Sequence, residues 1–135
     1  MTKAPLTQKH TLETVARAAT ADATLPVFIA PFAGTVSAIS YTAVAAVTGA
    51  ATDTRTLTLV NKGAAGDGTT VVGTLALVNA VDLVAFDEKA LTLSVVAGAT
   101  TVAAGDVLAF VSTHGGSSGL ADPGGLVTVK VTRTP

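Results

Sequence analysis

The 135-residue chain contains no cysteine. Disulfides and thiolate metal sites are therefore excluded, and stability has to come from packing or from association with another surface. Charge is also scarce: 13% of residues are charged, about half the usual share of roughly 25%. Aromatic residues make up only 4%, so most of the 49% hydrophobic content is Ala, Val and Leu, diluted by many Thr. A charge-poor exterior of this kind suits a protein that buries much of its surface in an assembly. The net charge is -1 and the eight Lys and Arg residues form no run. The concentrated basic patch that nucleic acid requires is thus absent, as are interleaved aromatics for base stacking. No apolar stretch follows Lys3, so no signal peptide is expected. Residues 23–52 carry no charge, but Pro26, Pro31, Gly34 and Gly49 interrupt them. A spanning helix needs about 20 consecutive apolar residues, and no membrane partner is expected.

What the chain does have is alternation. From Thr54 to Val78, two β-branched runs flank a loop containing Gly63, Gly66 and Gly68, which reads as strand, wide turn, strand. Leu57 and Leu59 alternate with Thr56 and Thr58, whereas the run from Val71 to Val78 is apolar on both faces and reads as a covered strand. Leu25–Ala30 is a short strand whose Pro26 and Pro31 belong at strand ends or on an edge. Gly34–Ala46 reads as a long strand and Ala90–Val95 as an alternating one. Val107–Ser112 reads as a buried strand, and Leu126–Arg133 alternates most cleanly, with Val127, Val129 and Val131 facing in. In the connection Asn79–Lys89, Phe86 is expected to tuck into the core while Asp87 to Lys89 turn outward. Asp106 and Asp122 are expected to brace turns. About eight or nine short strands at regular spacing predict an all-β sandwich or barrel. The domain is expected over residues 21–135, preceded by an N-terminal arm over residues 1–20, with extended structure favoured from Thr11 to Ala19.

Candidate chemistry is sparse. A catalytic triad needs a histidine oriented by a carboxylate. His10 falls in the arm, and His114 precedes Gly115 and Gly116 in a flexible loop. Ser117 and Ser118 lack a nucleophile elbow. Asp67, Asp82, Asp87 and Glu88 do not have the alternating spacing of a calcium loop. Gly63–Gly68 is not followed by the Lys-Ser/Thr and helix of a phosphate loop. Lys89 within Asp87-Glu88-Lys89-Ala90 faintly echoes the modified lysine of biotinyl and lipoyl domains, but a strand follows it and the second glycine hairpin is missing. No catalytic, cofactor or metal residue is assigned, and the protein is not expected to be an enzyme.

Several stretches together resemble the head decoration, or cement, proteins of tailed bacteriophages. They are Phe28-Ile29-Ala30-Pro31-Phe32-Ala33-Gly34-Thr35-Val36, Arg55-Thr56-Leu57-Thr58-Leu59-Val60-Asn61-Lys62-Gly63 and Gly66-Asp67-Gly68-Thr69-Thr70-Val71-Val72. Further stretches are Phe86-Asp87-Glu88-Lys89-Ala90-Leu91-Thr92-Leu93, Ala104-Gly105-Asp106-Val107-Leu108 and Asp122-Pro123-Gly124-Gly125, so the resemblance covers residues 25–131. It implies a jelly-roll-like antiparallel β-sandwich of about eight strands. It also implies a homotrimer bound to the major capsid protein on the outer surface of the virion, with no cofactor. The segments expected to make contacts are Thr2 to Thr20, Val47 to Asp53 and Thr113 to Gly125. The alternative is a receptor- or glycan-binding module of a phage tail or fibre. Tyr41 and four Phe supply few of the aromatic platforms that sugars favour.

Overall fold

The structure is a computed structural model that describes residues 6–134. The described residues form ten strands and no helix: β1 (Thr7–Thr14), β2 (Ala23–Ile29), β3 (Gly34–Ala43), β4 (Thr54–Asn61), β5 (Thr70–Leu77), β6 (Glu88–Ala90), β7 (Thr92–Leu93), β8 (Thr101–Val102), β9 (Val107–Gly115) and β10 (Gly125–Arg133). One sheet has the order β1-β10-β3-β6, with β8 also paired to β3, and the other has the order β2-β9-β4-β5-β7. Every ladder is antiparallel. Successive strands cross from one sheet to the other except at the β4–β5 hairpin. This is the winding of a jelly roll, as expected.

Period-two patterning decides which residues meet between the sheets. Val127, Val129 and Val131 of β10 are buried opposite Leu57 and Leu59 of β4 and Leu108 and Phe110 of β9. Tyr41 of β3 stacks on Phe110 across the two layers, with ring centroids 5.5 Å apart and 20° between planes. Gly73 leaves room for Ile39 of the facing sheet, since an added Cβ would lie 2.6 Å from Ile39 Cδ1. Pro26 sits on β2, an edge strand, beside a register shift between Pro26 and Phe28, which is where a residue without a ladder donor is tolerated.

Four segments depart from the sequence reading. The expected arm over residues 1–20 contributes a strand: β1 pairs with β10 from Thr7↔Thr132 to Thr14↔Gly125. Residues 1–5 lie outside the described residues. The Ala90–Val95 run is split between β6 in one sheet and β7 in the other, because Leu91 turns in to be buried between them. Val95 and Val96 are left exposed in the following turn. β3 ends at Ala43, short of Ala46. The strand expected to be covered on both faces, β5, pairs fully with β4 but has only the two-residue β7 on its other edge, and Val71 and Val78 remain partly exposed.

The ladders fix the loop positions. Thr14↔Gly125, Gly125↔Ala43 and Thr42↔Glu88 in one sheet, with Thr54↔Gly115 and Arg55↔Leu77 in the other, collect four loops at one end. These loops are residues 15–22, 44–53, 78–87 and 116–124.

Since β1 covers the whole length of β10, a chain lacking residues 6–14 should melt at least about 10 °C lower, corresponding to the loss of a few kcal/mol in a domain of this size. An unchanged melting temperature by circular dichroism would show that β1 is dispensable.

Candidate functional site

The four-loop end is built around one buried cation. Arg55 follows the inward alternation of Leu57 and Leu59, which places its side chain inside the sandwich with 0% exposure. All five of its N–H donors are used. Nε donates to the Leu120 carbonyl at 2.5 Å. One terminal nitrogen donates to the Ala21 carbonyl at 3.1 Å and to Ser112 Oγ at 2.9 Å. The other donates to the carbonyls of Ala18 and Ala19 at 3.1 and 3.0 Å. A single guanidinium therefore ties the β1–β2 loop, the β9–β10 loop and strand β9 together.

The counter-charge is one hydroxyl away. Ser112 donates to Asp122 Oδ2 at 2.9 Å. Tyr41 donates to Asp122 Oδ1 at 2.6 Å, and the Gly124 amide donates to the same oxygen at 3.0 Å. Asp122 is only 3% exposed, so each of these bonds offsets a desolvation that an unpaired carboxylate could not tolerate. Burial first, and then the carboxylate it donates to, push the Tyr41 phenol far above its ordinary value. Backbone bonds in both directions between Arg17 and Asp122 close the loop pair. Among the described residues, Arg17 Nε is buried without a hydrogen-bond partner.

Three further carboxylates fix loop amides. Asp53 Oδ1 accepts from the amides of Ser118 and Gly119 at 2.9 and 3.3 Å. Asp82 Oδ1 accepts from the Gly49 amide at 2.8 Å. Asp22 Oδ1 accepts from the His114 amide at 2.8 Å and lies 2.7 Å from His114 Nδ1. The ring contact and then the amide hold the Asp22 carboxyl below its ordinary value of 3.8.

Apolar side chains cross the same end of the β1-β10-β3-β6 sheet. Val15, Val44, Val84 and Leu126 are exposed, and Phe86 is 79% exposed. Phe86 was expected in the core. Its amide instead donates to the Ala43 carbonyl, and the Asp87 amide closes a tight turn onto Val84. Phe86 occupies the third turn position with φ of 61°, which suits glycine and costs a bulky residue about 1–2 kcal/mol. Farther along the outer face of this sheet is an open pocket of about 200 Å³. Lys9 and Lys130, directly opposite each other in the ladder, lie at its edge.

Of the segments expected to make contacts, Val47 to Asp53 and Thr113 to Gly125 converge at the four-loop end with residues 15–20 of the Thr2 to Thr20 segment, whose strand part runs away to Thr7, paired with Thr132 at the opposite end. The Thr113 to Gly125 segment is no free loop, since Thr113–Gly115 belong to β9 and residues 116–124 are held by Asp53, Asp122 and Arg55. The other singled-out residues are scattered. His10 lies on β1 with its ring centroid 5.3 Å from that of Phe28. His114 is oriented by Asp22, which sequence reasoning missed. Among the described residues no hydroxyl bonds its other ring nitrogen, and the Ser118 amide serves Asp53. Lys89 is a mid-strand residue opposite Tyr41, not the tip of an exposed hairpin. Asp106 braces its turn by accepting from the Ala103 amide and from Asn61. Asp67 and the Gly63–Gly68 loop lie at the far end from the four loops. Among the described residues no group of His, Asp and Glu is arranged to hold a metal ion. Arg55 was missed as a functional residue, although its parity with Leu57 and Leu59 marks it as inward-facing.

Comparison with known protein families, curated proteins and solved structures finds no match.

Replacing Arg55 by Met strands four carbonyls and the Ser112–Asp122 pair, and should lower unfolding free energy in urea by about 3–5 kcal/mol. A loss below about 1 kcal/mol would mean that the loops hold without it. The depressed Asp22 carboxyl contributes stability above its unfolded-state value of 3.8, and this is lost as pH falls through the lower folded-state value. The stability gap between wild type and Asp22→Asn should therefore be open at pH 5 and close on acidification below pH 3.8. A gap that widens on acidification would reverse the assignment.

Proposed function

We propose that this protein is a non-catalytic structural subunit that decorates and stabilises a bacteriophage head, binding the outer capsid surface as a homotrimer. One observation carries the reading. Two of the three segments expected to make contacts, Val47 to Asp53 and Thr113 to Gly125, meet at one end of the sandwich with the last residues of the third, where Arg55, Asp53 and Asp122 hold them in place. Loops fixed before binding surrender little conformational entropy when they dock. Identical modest contacts repeated over a lattice then add through multivalency.

The surface chemistry agrees with this role. The outer face of the β2-β9-β4-β5-β7 sheet is lined by Thr, Val and Ala, and the two ionisable residues within its strands are the inward-facing Arg55 and the terminal His114. Such a face is inexpensive to desolvate against a neighbouring subunit.

The test is light scattering of the purified chain, alone and with empty heads of the phage that carries its gene. The reading expects three times the 13.2 kDa chain mass in isolation. With heads, it expects saturable uptake and greater resistance of the heads to heat. Heads that take up no protein at micromolar concentration would remove the reading.

A further inference from the structure

We propose that copies of this protein associate by inserting the Phe86–Asp87 turn of one copy into the Lys9–Lys130 pocket of another. The contact deepens the self-association part of the decoration reading but stands on separate observations.

Phe86 is the first. Of the chain's five phenylalanine and tyrosine residues, Phe28, Tyr41 and Phe110 are buried and Phe32 packs against the core. Phe86 alone projects into solvent, at 79% exposure, from a backbone conformation unfavourable to its side chain. A strained position occupied by an exposed aromatic has no folding rationale, and strain of this kind gathers at functional sites. Aromatic side chains are also the usual anchors of protein interfaces. The ring is flanked by Asp87 and Glu88, both exposed.

The pocket is the second. Its floor is formed by Ala38, Ala90, Ser40 and Thr128 with the backbone of Ile39, whose side chain points inward to the core, and its volume of about 200 Å³ exceeds the roughly 150 Å³ of an apolar cavity that admits benzene. Lys9 and Lys130 face each other across the β1–β10 ladder, an arrangement in which like charges repel. Among the described residues the only ion pair is His114–Asp22, so neither lysine pairs with a carboxylate among them. Glu88 also borders the pocket, and the exposed Phe86 ring of the same copy leaves it open.

The two features complement each other. The pocket offers Ala38 and Ala90 for the ring and two ammonium groups for its face and for the adjoining Asp87 carboxylate. That complementarity selects a second copy as the occupant. Knob and pocket adjoin at Glu88, so two copies can exchange them reciprocally about a two-fold axis, while a one-way contact generates a ring where the rotation between copies closes. Three copies are the ring that the decoration reading expects.

Sedimentation velocity on the full chain, from micromolar to submillimolar concentration, tests this directly. Wild type should associate, and less so at high salt. Phe86→Gly suits the observed φ, so its melting temperature should match or exceed wild type while association weakens at least about tenfold. Lys130→Glu should weaken association comparably, and adding Asp87→Lys to it should restore much of the loss. A wild-type chain that stays monomeric throughout overturns the proposal. So does a Phe86→Gly protein that associates as tightly as wild type. Failure to coat heads with self-association intact would remove the decoration reading and leave this contact standing. A monomer that still coats heads would do the reverse.

Discussion

A guanidinium sealed between two sheets is the constraint on which the rest of this fold depends. The Arg55 charge is tolerated inside the sandwich because four backbone carbonyls and Ser112 Oγ take all five donors. Those carbonyls belong to Ala18, Ala19, Ala21 and Leu120, in loops of small residues with little apolar surface of their own to bury. The cation does for these loops what disulfides do in other small β-domains, by fixing them to the body of the fold. Asp122 completes the arrangement from the opposite side, since Tyr41 and Ser112 approach it from different sheets.

Many of the polar groups at this loop end are spent on one another. Asp53, Asp82 and Asp122 each accept from a backbone amide. Val15, Val44, Val84, Leu126 and Phe86 remain exposed there beside the charged Asp22 and Asp87. The decoration reading and the Phe86 contact both draw on this division, with polar groups satisfied inside and apolar ones left free outside.

Much of the sandwich was legible because alternation reports directly on which face of a strand is buried. The valines of β10 and the leucines of β4 settle their own orientation. Where the sequence misled, a different physical term was in control. Leu91 interrupts a plausible strand because its burial turns the chain from one sheet to the other. β1 has no hydrophobic face to announce it. Its inward positions are Gln8, His10 and Leu12, and its place is set by backbone pairing with β10. Phe86 misled because an aromatic within an apolar stretch ordinarily serves the core, and nothing in one sequence reveals a left-handed backbone angle. The convergence of residues 15–22, 44–53 and 116–124 rests on topology, which local pattern does not encode. Arg55 could have been placed by its parity, but its five partners come from residues 34 to 65 positions away.

The pairing of the first strand with the last bears on how the molecule is made. Thr7 and Thr132 touch through their hydroxyls across 125 intervening steps of chain. During synthesis β1 has no ladder partner until β10 leaves the ribosome, and β3 lacks its main neighbour for the same reason. Closure of this sheet must therefore wait for β10. Such non-local pairing makes folding slow, on the millisecond-to-second scale. In that interval the nascent edges, with their unpaired N–H and C=O groups, stand open to pairing with other chains.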